Sequence, residues 1–236
     1  MSTPQAEHPT IVGPDIRRTS IEDNQREDSI YAEKQRRLLT EPLYTSWAGP
    51  PAEPSEPPRT FLAAANVGLF SSVNDPPMVP DMLLSADVSV HPDFQHERKH
   101  RTYVMWEMGK LPEVVIEIVS NRERDEFGKR KRAYARMRVS YYVVWDPDRE
   151  LSAVELSGFE VRGDLYVLLS VPLAFPTLGL ELKPWEGMFE GAAARWLRWH
   201  VGGVPIPTGA ERANAEQARA DRLAARLAAL GVTDLE

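Results

Sequence analysis

Residues 111–147 read LPEVVIEIVSNRERDEFGKRKRAYARMRVSYYVVWDP, and this stretch decides the fold. A nearly unbroken β-branched run at 114–119 predicts a strand that is buried on both faces. Glu117 interrupts the run, and burying a carboxylate without a partner costs several kcal/mol. An acid at this position therefore needs a metal ion, a cation or strong hydrogen-bond donors.

The pattern changes abruptly after Ser120. A polar turn at 121–126 leads into a basic segment at 127–137 with partly helical spacing of its apolar residues. A second apolar strand follows at 139–145, and Asp146-Pro147-Asp148 ends it as a turn. Two buried strands joined by a helix predict a βαβ-like crossover.

Length and composition indicate one large domain with appendages. The chain has 236 residues, 42% of them hydrophobic, and six tryptophans, which are sufficient for a sizeable core. It contains no cysteine, which excludes disulfides and thiolate metal sites and favours a reducing compartment. No apolar run approaches the roughly 20 residues of a membrane span, and residues 1–10 lack a signal-like apolar stretch. We therefore expect a cytoplasmic protein that does not bind a membrane.

Three regions are expected along the chain. Residues 1–27 are polar and aperiodic, which predicts a disordered or extended arm, and residues 28–205 would form the domain. Residues 206–236 predict an alanine- and arginine-rich C-terminal helix, whose apolar positions at 210–230 could pack on the domain or pair with a second copy in a homodimer.

Several element boundaries also follow from local signals. A helix is expected at 29–47, with Pro42 ending its regular part. A single strand is expected at 60–70, and Gly158 is expected near a turn of a later meander.

The distribution of charge limits the function classes. A net charge of −7 argues against a general, sequence-blind nucleic-acid coat, because phosphate binding depends on lysine and arginine. Residues 122–138 nevertheless hold eight lysines and arginines against three acids. They form a local basic patch or, alternatively, a solvated helix face.

Two acids on predicted strands could hold a metal ion. Asp81 follows Pro80 at the start of a short apolar strand, and Glu117 lies within the buried run. If these strands are neighbours, the two carboxylates converge, and such hard oxygen ligands suit Mg²⁺. Two alternatives remain open. Asp81 could be a simple turn residue, and Glu117 could be a structural acid paired with an arginine of the helix.

An ordered series of motifs resembles the PD-(D/E)XK nuclease superfamily, and most closely its restriction-endonuclease branch. The series comprises Pro80-Asp81, the run Val-Val-Ile-Glu-Ile-Val-Ser around Glu117, Tyr134-Ala135-Arg136, the strand end at 141–147 and the tail after Thr208. The resemblance covers roughly residues 60–230. It implies an α/β (α+β) fold, a restriction-endonuclease-like core with a mixed central sheet flanked by helices and a C-terminal helical tail. It also implies cleavage of DNA with Mg²⁺, or with Mn²⁺.

The resemblance also implies roles for individual residues. Asp81 and Glu117 would bind the metal, with the backbone carbonyl of Ile118 as a third ligand and Glu33 of the N-terminal helix as an extra one. The usual lysine two residues after the glutamate is replaced by Val119. A basic residue of the following helix would substitute for it, and this is Arg130 by position, flanked by Lys129 and Lys131. Arginine stays protonated and can stabilise a transition state, but it modulates the protonation of a water poorly. A catalytically inactive relative that binds nucleic acid or a protein is the alternative function.

Overall fold

Two parallel strands, β5 (Val114–Ile118) and β6 (Tyr141–Trp145), lie side by side in the larger sheet. Every residue of both strands is buried. Between them the chain passes through a π-helical turn (Glu126–Arg130) and α3 (Lys131–Met137). The predicted βαβ crossover is confirmed, as are the α+β class and the mixed sheet.

The computed structural model describes residues 29–72, 76–96, 98–120 and 125–230, so the predicted arm at 1–27 lies outside it. The other helices are α1 (Ile30–Ser46), α2 (Met105–Met108) and α4 (Gly209–Ala229), with a 3₁₀ turn at Arg98–Arg101. The other strands are β1 (Phe61–Ala65), β2 (Leu69–Phe70), β3 (Met82–Ala86), β4 (Tyr103–Val104), β7 (Leu156–Arg162), β8 (Leu165–Leu168), β9 (Leu173–Phe175), β10 (Leu180–Phe189), β11 (Ala192–Val201) and β12 (Val204–Pro205). Within these ranges no helix is both long and apolar enough to cross a membrane.

The strands form two larger sheets and one short pair. The six-stranded sheet has the order β1-β3-β5-β6-β7-β8, and only its β5–β6 pair is parallel. The second sheet has the order β12-β11-β10-β9 and is antiparallel throughout. β2 and β4 form a parallel pair beside them.

The two faces of the six-stranded sheet are covered by different layers. On one face, Ile116 and Trp145 belong to a buried cluster that includes Leu39 of α1 and Trp199 of the second sheet. On the other face, alternate residues of the same strands pack with α3, and Tyr134 belongs to that cluster. Because side chains alternate along a strand, Glu117 lies on the face covered by α3.

One buried side chain attaches α1 to the second sheet. Gln35 is fully buried, its Nε2 donates to the carbonyl oxygen of Leu197 at 2.9 Å, and its Oε1 accepts from the Leu197 amide at 2.8 Å. The Gln35 side chain thus hydrogen-bonds both backbone groups of one β11 residue, much as the backbone of a neighbouring strand would. Both of its polar atoms have a hydrogen-bond partner.

Helix α4 is attached to the domain at its first turn. Thr208 and Glu211 form a capping box. The Glu211 carboxylate also accepts hydrogen bonds from Nη1 and Nη2 of Arg198, at 2.9 and 2.7 Å. None of the residues of α4 is buried. The helix expected near the C-terminus is therefore present and exposes most of its length.

Three expected boundaries differ from the structure. α1 continues through Pro42 to Ser46, because Leu39 and Leu43 on either side are fully buried and tertiary packing outweighs the lost backbone hydrogen bond. The strand expected at 60–70 is divided into β1 and β2, since Asn66 adopts a positive φ of 55°. Gly158 lies inside β7, where a Cβ atom would stand 2.4 Å from Leu173 Cδ2, so close packing requires the glycine there.

Candidate active site

The two predicted acids lie beside each other at one end of the six-stranded sheet. Asp81 immediately precedes β3, and Glu117 is the next-to-last residue of β5. The antiparallel register pairs Met82 with Ile116, and extending it by one residue sets Asp81 opposite Glu117. Asp81 is 2% exposed and Glu117 is 0% exposed. Two carboxylates so close and so buried require compensating positive charge.

Asp81 is held through both of its carboxylate oxygens. Arg36 of α1 donates from Nη1 to Oδ1 at 3.3 Å, and the Ile118 backbone amide donates to Oδ2 at 2.9 Å. The side chain of Arg36 is only 6% exposed, so this ion pair is almost completely removed from water. The hydrogen bond to Ile118 also ties the orientation of Asp81 to the end of β5, which carries Glu117.

Glu117 is held from the opposite layer. The Nη2 of Arg130 forms an ion pair with Glu117 Oε1 and also donates to the carbonyl oxygen of Val79 at 3.0 Å. Tyr134 Oη donates to the same Glu117 Oε1 at 2.9 Å. The guanidinium group of Arg130 and the phenol of Tyr134 therefore both donate to Oε1 of Glu117.

Arg130 remains a cation in this setting. Burial by itself would lower the pKa of Arg130, but the Glu117 charge and its hydrogen bond raise it, and the net result lies above the ordinary value. The group cannot exchange a proton near neutral pH. It can serve as a fixed positive charge, and it cannot serve as a general base.

The π-helical turn places Arg130 toward the strands. Asp125 starts the turn by accepting the Lys129 amide at 2.9 Å, and the Asp125 carbonyl accepts the Arg130 amide at 3.2 Å. The turn folds closely over this carboxylate, since a Cβ atom on Gly128 would stand 1.9 Å from Asp125 Oδ1. Such i→i+5 turns are frequent at functional sites because they reorient one side chain within a helix.

The remaining predicted residues take different positions. Lys129 is exposed, and Lys131 lies over the ring of Phe159 with Nζ 3.5 Å from its centroid, where burial lowers the pKa of the lysine. Glu33 forms an ion pair with Arg37 on the surface of α1. Within the described ranges no group of three or more His, Cys, Asp or Glu side chains is arranged to hold a metal ion.

Sequence reasoning missed two residues of this site. Tyr134 was part of a recognised motif, but no local pattern revealed its contact with Glu117. Arg36 carried a signal that could have been used, because it stands in the apolar stripe Ala32, Arg36, Leu39 and Leu43 at helical spacing. A charged residue on the buried face of a helix calls for a buried partner of opposite charge.

Comparison with models of protein families identifies the family of this chain. Residues 38–182, more than half of the chain, match the model of the Uma2 family, which is described as "Putative restriction endonuclease". The chain belongs to the Uma2 family. No match was found among curated proteins or among solved structures. The Uma2 segment contains Asp81, Glu117 and Arg130, whereas Arg36 lies two residues before its start.

Replacing Tyr134 by phenylalanine tests the phenol contact in this Uma2 protein. The change removes a hydrogen bond to a buried carboxylate, so we expect Tyr134→Phe to lower the free energy of unfolding by about 1.5–3 kcal/mol. Urea denaturation at neutral pH measures this loss. Tyr166→Phe is the matched control, because Tyr166 Oη donates to the neutral carbonyl of Val139 at 2.8 Å and should cost only about 0.5–1.5 kcal/mol. Equal losses in the two variants would contradict a charge-assisted bond at Glu117.

Proposed function

We propose that this chain is a Mg²⁺-dependent endonuclease that hydrolyses phosphodiester bonds of DNA. The observation that carries the proposal is the pair of buried carboxylates, Asp81 just before β3 and Glu117 on the neighbouring β5, in a chain of a restriction-endonuclease family. Buried pairs of like charge are costly and are characteristic of sites that bind a cation during catalysis.

The donor atoms fit a divalent cation of the hard type. Mg²⁺ prefers oxygen ligands and keeps several waters, so two carboxylates suffice on the protein side. We propose the backbone carbonyl of Ile118 as a third ligand and Mn²⁺ as an alternative ion. When bound, the ion would acidify a coordinated water and neutralise charge on the phosphodiester.

The residues of the chain would divide the remaining tasks. Asp81 and Glu117 would bind the ion, and Arg36 with the Ile118 amide would fix the orientation of Asp81. Arg130 would stabilise the negative charge that develops on the phosphate, since it is a permanent cation within contact of Glu117. Lys129 and Lys131 flank Arg130, but the position of Lys131 over Phe159 favours Arg130 for this task.

The proposal extends to assembly and location. A homodimer through residues 210–230 would use the exposed α4, where Leu223 is 53% exposed, and Leu230 directly after it, which is 74% exposed. Cleavage of both strands of a duplex commonly employs such symmetric pairs. We also retain the cytoplasm as the expected compartment.

One observation favours a second function, a nuclease-fold protein that binds nucleic acid without cleaving it. Val119 provides no charge at the usual lysine position, and the basic residue that reaches Glu117 is an arginine. Because arginine cannot take up or release a proton from the attacking water, hydrolysis would have to do without that assistance.

A cleavage assay separates the two functions. The full chain is incubated with supercoiled plasmid and with single-stranded DNA in Mg²⁺, Mn²⁺ or EDTA, and we expect cleavage that requires the metal and is lost in Asp81→Asn. Asp87→Asn is the matched control, because the exposed Asp87 follows the other end of β3 and pairs with Arg59. This replacement should leave the activity unchanged. Metal-independent binding without cleavage by the folded chain would instead support the second function.

A further inference from the structure

The guanidinium group of Arg130 stands at a carboxylate oxygen that the proposed function assigns to the metal ion. Its Nη2 contacts Glu117 Oε1, and the same nitrogen also donates to the carbonyl oxygen of Val79 at 3.0 Å. A cation that already contacts Glu117 Oε1 repels a second cation at the same atom. Arg130 and the metal ion therefore compete for Glu117.

Each of the two carboxylates already contacts a cation, since Asp81 pairs with Arg36 and Glu117 pairs with Arg130. A divalent cation at Glu117 would add positive charge beside Arg130 at a carboxylate that is fully buried, where water screens the repulsion little. If Arg130 leaves Glu117 as the ion and a phosphodiester enter, that repulsion is relieved and the phosphodiester compensates part of the charge of the ion.

The two arginines differ in their freedom to leave. The side chain of Arg36 is 6% exposed, whereas that of Arg130 is 28% exposed. The Nε of Arg130 is also buried without a hydrogen-bond acceptor among the described residues. The guanidinium group thus retains a donor suited to a phosphate oxygen, and it has a route toward solvent that Arg36 lacks.

We infer that Arg130 is a phosphate-responsive switch, which blocks the metal position until a phosphodiester draws it away from Glu117. This inference rests on the proposed function, since it assumes that Asp81 and Glu117 bind the metal. It makes the metal ion and the phosphodiester bind cooperatively, and the coupling is reciprocal by linkage. The ion binds weakly to the free protein and tightly to the complex with nucleic acid.

Direct measurement of Mn²⁺ binding tests the switch without reference to activity. The free ion is followed by electron paramagnetic resonance at constant ionic strength, with the full chain alone or with a phosphorothioate duplex that resists cleavage. We expect the duplex to raise the Mn²⁺ affinity of the unaltered chain at least tenfold. An affinity that does not change with the duplex would overturn the switch, and this comparison requires no variant.

Variants at two arginines of the same helical segment sharpen the test. Arg130→Gln removes the competing charge and should raise the Mn²⁺ affinity of the free protein about tenfold or more, whereas Arg130→Lys retains the charge and should stay near the original value. Arg132→Gln is the matched control, because Arg132 is exposed on α3 and should leave the affinity unchanged. An unchanged or weaker affinity in Arg130→Gln would overturn the switch. Metal-dependent cleavage by the unaltered chain would in that case still stand, so the failure of this inference is distinguishable from failure of the proposed function.

Discussion

Arg36→Met is expected to lower the free energy of unfolding by about 3–5 kcal/mol, because it leaves the carboxylate of Asp81 buried without its guanidinium partner. Methionine is similar in length and flexible, so little of the loss should come from packing. The side chains of Arg36 and Asp81 are 6% and 3% exposed, and water cannot replace the lost charge without opening the structure. Urea denaturation at neutral pH measures the change.

Two further variants show whether the loss arises from the charge. Adding Asp81→Leu to Arg36→Met removes the stranded carboxylate and should recover most of the stability, since a buried ion pair can often be replaced by apolar groups. Arg37→Met is the surface control, because the Arg37 side chain is about half exposed and its pairs with Glu33 and Glu190 should contribute little to stability. Similar losses for Arg36→Met and Arg37→Met would contradict the buried pair.

Glu117→Gln is expected to reduce the rate of DNA cleavage by about a thousandfold while preserving the fold. Stabilisation of transition-state charge by a metal ion amounts to several kcal/mol, and about 4 kcal/mol corresponds to this factor. The glutamine carbonyl can still accept from Tyr134 and Arg130, which maintains the local hydrogen bonds. Initial rates of plasmid cleavage at saturating Mg²⁺ measure the effect, and thermal unfolding verifies the fold.

Glu113→Gln is the matched control for this experiment. Glu113 directly precedes β5, at the end opposite Glu117, where it pairs with Lys110 and accepts the amide of Ala86 at 2.8 Å. Its replacement should therefore leave the cleavage rate unchanged. Full activity in Glu117→Gln would rule out this carboxylate as a metal ligand.

The central part of the fold could be predicted because its signals are local. Two apolar runs joined by a basic segment of partly helical spacing indicate buried parallel strands and a crossover. Glu117 is conspicuous because it alone interrupts the first run. The adjacency of Asp81 and Glu117 followed from assuming that their strands pair. The paired strands confirm that assumption, although the metal-binding role of the two acids stays a prediction.

The partners of the two acids were harder to predict because they depend on tertiary structure. Arg36 precedes Asp81 by 45 residues, and no sequence pattern indicates that α1 covers this end of the sheet. The family resemblance indicated Arg130 among three adjacent basic residues, but its contact with Glu117 depends on the π-helical turn that carries it. A turn of this type changes the helical phase by about one residue, which periodicity cannot reveal.

The two hydrogen bonds between the Gln35 side chain and the Leu197 backbone show which segments a functional fragment of this protein must contain. Gln35 and Arg36 are consecutive, so the residue that fixes α1 to β11 also fixes the cation that holds Asp81. Both residues precede the family match at 38–182, and β11 follows it. The segment that matches the family would thus contain both acids but neither Arg36, the cation paired with Asp81, nor β11, to which α1 is attached. An expression fragment cut at the family boundaries would divide the site, and the unit to be studied must include α1 from its start and β11 to its end.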